Sequence, residues 1–195
     1  SPHGTVADSG AELSGFRAAF QTSVKSGVIR AGWRSDLGDD IGKPSPDSDE
    51  ERVYYSRDDS HRLNLGYESP GPGKWNRIAA SVFWDATTLI LDKDQFATVD
   101  DPRQLKVSDT DANDYGLRLE AERPVGPVRL VLGLDVSGRY DLHAVNRTTI
   151  FDATGGEAVS FSEVAIDNAR RDDIGLFAAM NRDWRRWQLA AGIRL

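Results

Sequence analysis

Arg62-Leu63-Asn64-Leu65-Gly66-Tyr67-Glu68 alternates at every position: Leu63, Leu65 and Tyr67 fall on one side of an extended chain, Arg62, Asn64, Gly66 and Glu68 on the other. Successive side chains of a strand point to opposite faces, so a period of two marks a β-strand with one apolar and one wet face. The pattern repeats downstream. Asp114 to Arg123 sets Tyr115, Leu117, Leu119 and Ala121 against Gly116, Arg118, Glu120 and Glu122. Val128 to Asp141 sets Val128, Leu130, Leu132, Leu134, Val136 and Tyr140 against Arg129, Asp135, Ser137, Arg139 and Asp141.

Five further segments carry the same alternation: Glu12 to Gln21, Gly27 to Ser35, Asn76 to Asp92, Asp172 to Asn181 and Arg186 to Leu195. The links between these eight strands alternate in length. Short ones lie at Thr22 to Ser26, Ser69 to Trp75, Pro124 to Pro127 and Asp183 to Arg185; long ones at Asp36 to Ser60, Lys93 to Asn113 and Leu142 to Arg171. The expected fold is all-β, an antiparallel up-and-down sheet of about eight strands in four hairpins.

Soluble antiparallel sheets also have one apolar and one polar face, and three details point instead to a transmembrane barrel. Full charges sit at mid-strand on the polar faces, as a wet lumen allows. Several runs reach the roughly 9–11 residues that a tilted strand needs to cross the hydrocarbon layer. Trp75, Trp184 and Trp187 gather at the short turns, while Trp33, Trp84 and Tyr140 fall toward the long-loop ends, as in two interfacial girdles.

Composition excludes other classes. The 195 residues carry 24 basic and 31 acidic side chains, a net charge of -7, with no clustered basic patch for nucleic acid. With no cysteine there is neither a disulfide nor a thiolate metal site. No apolar run approaches the roughly 20 residues of a membrane helix. The start, Ser1-Pro2-His3-Gly4-Thr5, has no signal-peptide pattern.

In bacterial barrels short turns face the periplasm and long loops face outward. On that convention Ser1 to Gly10 and Leu195 both lie outside the cell. The expectation is therefore that residues 1–195 form an internal slice of a larger barrel, a reading with which the absence of a terminal aromatic residue agrees.

Asp39-Asp40-Ile41-Gly42-Lys43-Pro44, Asp59-Ser60-His61-Arg62-Leu63-Asn64-Leu65-Gly66-Tyr67, Asp114-Tyr115-Gly116-Leu117-Arg118-Leu119 and Gly133-Leu134-Asp135 resemble barrel segments of TonB-dependent outer-membrane receptors. The resemblance spans nearly all strand-bearing residues. It implies a barrel of about 22 strands filled by an N-terminal plug. It also implies import of a scarce ligand, such as a ferric siderophore, haem, cobalamin or a glycan, driven through TonB. No plug is recognisable in this sequence, so TonB would act only through a plug elsewhere in the parent protein.

Candidate ligand residues follow from position. Tyr54 and Tyr55 in the first long loop suit stacking on an aromatic chelate or anchoring on the rim, and His143 at the mouth of the third long loop suits a haem ligand or a solvent-facing side chain. Arg118 and Arg139 stand among the lumen charges Arg62, Glu68, Arg77, Asp85, Glu120, Arg129 and Asp135, which suit a ligand path, a plug contact or cross-strand ion pairs. His3 and His61 have no identifiable partner. The acidic stretches at Asp39 and Asp40, Asp47 to Glu51, Asp58 and Asp59, Asp100 and Asp101, and Asp172 and Asp173 read as solvated loops, as does Asp109 to Asp114, which lacks the glycine and distal glutamate of a calcium loop.

No catalytic constellation, metal site or cofactor is expected. The sequence reads as part of an outer-membrane receptor that imports a small ligand such as a ferric chelate, with membrane lipid as its other partner. Two alternatives are a complete eight-stranded barrel with a structural or adhesion role and a soluble ligand-binding β-sandwich.

Overall fold

A computed structural model describes residues 10–44, 50–98 and 101–195, the side chain of Trp184 excepted. His3, the stretch 1–9, Asp47, Asp49 and Asp100 lie outside the described residues, as does Trp184's place in a girdle.

The described chain is one antiparallel sheet without helices. Its elements are β1 (Glu12–Val24), β2 (Gly27–Asp39), β3 (Ile41–Lys43), β4 (Glu51–Ser69), β5 (Arg77–Gln95), β6 (Gln104–Val125), β7 (Val128–Phe151), β8 (Glu157–Trp184) and β9 (Trp187–Arg194). Neighbours in sequence are neighbours in space, in the order β1-β2-β4-β5-β6-β7-β8-β9, with β3 added on the outer part of β4. The eight-strand up-and-down meander read from the alternation is present, and β3 is an addition to it.

The short links are tighter than the sequence suggests. Two residues close three of the four: Lys25-Ser26, Gly126-Pro127 and Arg185-Arg186. Each such turn needs a left-handed residue, supplied by Lys25 (φ 44°), Gly126 (φ 59°) and Arg185 (φ 51°).

The long links differ most from expectation. Most of their residues are strand: β2 runs on to Asp39, β4 begins at Glu51, β6 begins at Gln104, and β7 and β8 meet across only five residues, Asp152 to Gly156. Tyr54 and Tyr55 therefore sit in β4 rather than in a loop, and Asp109 to Asp114 is the middle of β6 rather than a solvated loop. Beyond the apolar belt both faces of these hairpins mix polar and apolar side chains. Backbone pairing persists there while the side-chain alternation that announces it does not.

Register turns the alternation into two surfaces. One outer row, read across the sheet, is Trp33, Leu63, Trp84, Tyr115, Gly138 and Asp172. Trp84 Nε1 donates to Tyr140 Oη at 2.8 Å, and the Phe16 ring meets Trp33 edge-on at 5.7 Å. The aromatic residues expected toward the long-loop ends thus form one band over β1 to β7. Below it lie Leu65, Val82, Leu117, Val136 and Ile174, in register with one another.

The opposite face is charged and interrupted by two rings. Phe83 lies in the hollow over Gly116, where a Cβ would come within 2.2 Å of Cε1, and Phe177 lies over Gly133, where it would come within 2.1 Å of Cζ. The Arg62 and Arg118 guanidiniums cover these rings at 5.4 and 4.7 Å.

A single layer buries little. Among the described residues the buried apolar side chains are Ala112 and Ala144, and no large side chain is fully buried. The outer edges of β1 and β9 have no strand partner among the described residues.

Candidate functional site

The charged face is organised in rows by the same register. Nearest the short turns runs a ladder of alternating sign that crosses the sheet. Arg30 pairs with Glu68 at 3.2 Å, Glu68 with Arg77 at 3.0 Å, Arg77 with Glu120 at 3.2 Å and Glu120 with Arg118 at 2.7 Å. Arg118 then reaches Asp135 at 3.6 Å, and Asp135 meets Arg194 at 3.3 Å. Each charge has an opposite neighbour along the row, four arginines alternating with three carboxylates.

One level further out, a register row reads Arg17, Arg34, Arg62, Asp85, Asp114, Arg139 and Arg171 from β1 to β8. Arg62 grips Asp85 at 2.6 Å, and Arg139 forks onto both carboxylate oxygens of Asp114 at 2.7 and 2.8 Å. Asp85 Oδ1 is buried without a hydrogen-bond partner among the described residues. Between Arg139 and Arg171 the sheet opens into a cavity of about 590 Å³ whose lining includes Arg62, Phe83, Ser137 and Asp173. That is within the roughly 300–1,000 Å³ of small-molecule sites.

The five residues singled out from the sequence do not form one site. Arg118 and Arg139 share the charged face but lie in different rows, Arg118 in the ladder and Arg139 on the cavity wall. His143 is on the outward surface, opposite Asp111 in register, with Nδ1 3.8 Å from Asp167.

Tyr54 and Tyr55, being adjacent in a strand, face opposite ways, and each ring is already covered by a cation: Arg52 lies 4.8 Å from the centre of Tyr54 and Lys43 lies 5.0 Å from that of Tyr55. Lys43 Nζ also donates to Tyr55 Oη at 3.2 Å. Burial, and then the nearby Asp92 carboxylate, raise the Tyr54 phenol above its ordinary value of 10.0. At neutral pH it is a hydrogen-bond donor rather than a phenolate. His61, which the sequence leaves without a partner, has Nδ1 2.9 Å from Ser35 Oγ.

Sequence reasoning did not single out Arg17, Arg30, Arg34, Arg171 and Arg194. The signal was present in part, since each alternates with the apolar residues of its own strand. Which arginines share a row depends on pairing register, which one strand does not disclose.

No protein-family model matches the sequence, and no curated protein does. Among solved structures, the fold is similar to that of a chain described as copper transporter OprC. The TM-score is 0.65 at 16% sequence identity, over 94% of this chain and 28% of that one. The present chain thus spans 28% of the length of that structure.

Proposed function

We propose that this chain is part of a larger outer-membrane β-barrel transporter of the TonB-dependent kind, taking up a small metal chelate from outside the cell. The observation that carries the reading is the division of one sheet into an apolar surface edged by Trp33, Trp84 and Tyr115 and a charged surface crossed by ion-pair rows. Only lipid on one side and water on the other suits both surfaces at once.

An unpaired strand edge cannot lie in hydrocarbon, so the edges of β1 and β9 call for further strands, which the rest of the protein would supply. In that barrel the short turns face the periplasm and the long β2–β4, β5–β6 and β7–β8 extensions stand outside. TonB would act through a plug elsewhere in the protein.

The fold shared with a copper transporter supports metal-linked cargo. Within that class a ferric chelate, siderophore or haem, is our first candidate. Neither His143 nor the protonated Tyr54 offers a convergent set of metal ligands, which favours recognition of the chelate as a whole over binding of a bare ion.

The test of the barrel uses single cysteines in the complete protein in its native membrane. Leu65→Cys and Val82→Cys should be blocked by lipid from a membrane-impermeant thiol reagent, while Asn64→Cys and Ser81→Cys should react from the water side. Equal labelling of the two sets would sink the membrane reading. The cargo is tested by disrupting the gene and measuring uptake of radiolabelled ferric chelates and copper; loss of neither uptake overturns the transport assignment.

A further inference from the structure

Between β1, β2 and β4, on the charged face, lies a second cleft of about 440 Å³. Its polar lining is Arg17, Arg34 and Arg62 along one side, Arg30 and Gln21 along the other, and Asn64 between them. Ala19 and Gly32 lie in register with Asn64 and form a floor without bulk. Four arginines line the space and no carboxylate does, in a chain whose overall charge is -7.

The arrangement opposes the usual logic of a sheet. Arg17 is directly opposite Arg34, and Arg34 directly opposite Arg62, and like charges in such positions repel. Carboxylates outside the cleft hold three of the four: Asp36 grips Arg34 at 2.5 Å, Asp85 grips Arg62 at 2.6 Å and Glu68 grips Arg30 at 3.2 Å. Each of these contacts uses only part of a guanidinium, which has five N–H donors. Arg17 has no acceptor among the described residues. The outcome is a cleft lined by four arginines and no acid, with three carboxylates beyond its lining and N–H donors to spare.

We infer that this cleft is the binding site for a small polyanion, a molecule carrying two or more carboxylate or phosphate groups. Arginine suits both groups, because its planar fork meets two oxygens at once and keeps its charge at any physiological pH. Asn64 adds an amide donor to the cleft. This inference rests on the barrel reading above and specifies its cargo: the charged face takes its ligand as an oxyanion, so a chelate recognised here is an acidic one.

The test uses the complete protein purified in detergent, with tricarballylate and pyrophosphate as probes and glycerol as the uncharged control, followed by titration calorimetry. Wild type should bind at least one of the two anions and not glycerol. Arg17→Gln and Arg34→Gln should each raise the dissociation constant about tenfold, the loss expected for one charged hydrogen-bonding group. Arg17→Lys should fall between, and Lys74→Gln, in the β4–β5 turn, should change nothing. Retained strand circular dichroism and trypsin resistance in each variant separate loss of the site from loss of the fold.

Preference for tricarballylate would identify carboxylate cargo, and preference for pyrophosphate phosphate cargo; either supports the site. Wild-type protein that binds neither anion overturns the inference, including the case in which acidic side chains from the rest of the protein already fill the cleft. So does binding that Arg17→Gln and Arg34→Gln leave unchanged. The cysteine-labelling experiment decides the barrel independently, so failure of the anion site leaves that reading intact.

Discussion

Single residues on the charged face show how a flat sheet gains shape. Gly116 and Gly133 have backbone angles open to any residue, and what reserves them for glycine is the ring above each one. Alanine at 116 would push Phe83 out of its hollow and away from Arg62, with an expected loss of about 1–3 kcal/mol, the range for overpacking a close-fitted site. Urea unfolding of the protein in lipid vesicles measures it. Phe83→Ala in the Gly116→Ala background should restore part of the loss, and a double variant worse than the sum of the two would show that the hollow is not the cause. Tyr54 makes a prediction in pH. Its folded value is raised above the ordinary 10.0, so the stabilisation is complete below about pH 10 and disappears as pH climbs through the higher folded value. The phenolate absorbance that disappears in Tyr54→Phe should titrate above 10, and Asp92→Asn should lower its midpoint, because the largest of the charges that raise it is removed. A midpoint at or below 10 in the wild type contradicts the burial.

At the scale of elements, legibility followed the environment of each strand segment. Where one face is a continuous apolar surface, the alternation is plain, and Leu63 to Tyr67, Tyr115 to Ala121 and Leu130 to Tyr140 could be read at sight. In the outer halves of β6 and β7 both faces mix polar and apolar side chains. Lys106, Asp109 and Arg147 stand beside Val107 and Ile150, and no sustained period of two marks the strand; in β8 the alternation at Val159 and Phe161 changes phase before Val164 and Ile166. Bulges add to this. The ladder shifts between Arg139 and Leu142, near Asp141 at φ 51°, and between Leu142 and Ala144, near Asn168 at φ 48°, so inward and outward positions exchange without any mark in composition. The same limit governed the site: Arg118 and Arg139 could be placed on the wet face, but the cleft belongs to three strands jointly. The β7–β8 hairpin also has a titratable clasp. Asp152 Oδ1 accepts from Thr154 Oγ1 at 2.6 Å, Thr154 N at 2.8 Å and Gly156 N at 2.9 Å. The Thr154 hydroxyl first, then these backbone amides, draw the Asp152 carboxyl below its ordinary range. That stabilisation is present above the unfolded value and is lost as pH falls through the lower folded one. Amide exchange at Thr154 and Gly156 should therefore accelerate in acid, and Asp152→Ala should give the fast rate at neutral pH. Exchange insensitive to both changes would remove Asp152 from any role in closing the hairpin.

At the scale of the molecule, the decisive quantity is what the sheet fails to bury. A soluble domain approaching 200 residues hides about 70% of the surface its unfolded chain exposes. Here no large side chain is fully buried, and Leu13, Phe16, Phe20, Ile174, Leu176 and Trp187 all stand more than half exposed. Two compact soluble arrangements could repair this, a sandwich folded on itself or a barrel closed by pairing β1 with β9. The first is contradicted by a single continuous sheet with every strand beside its sequence neighbour. The second would pair β1 with β9, and no such pairing exists among the described residues. The 195-residue chain prepared by itself should therefore not yield a monomer in water. Its apolar face and two free edges should drive it into aggregates, as exposed edge strands do. Detergent micelles above their critical concentration should recover strand circular dichroism, since they cover the apolar face even when the edges stay unpaired. Analytical ultracentrifugation with and without detergent makes the comparison. A sharp monomer boundary in plain buffer, with the strand signal intact, would mean that the outward Leu, Phe and Trp side chains are covered by the chain itself. The lipid-facing assignment of that surface would then fall, together with the orientation of every strand built on it.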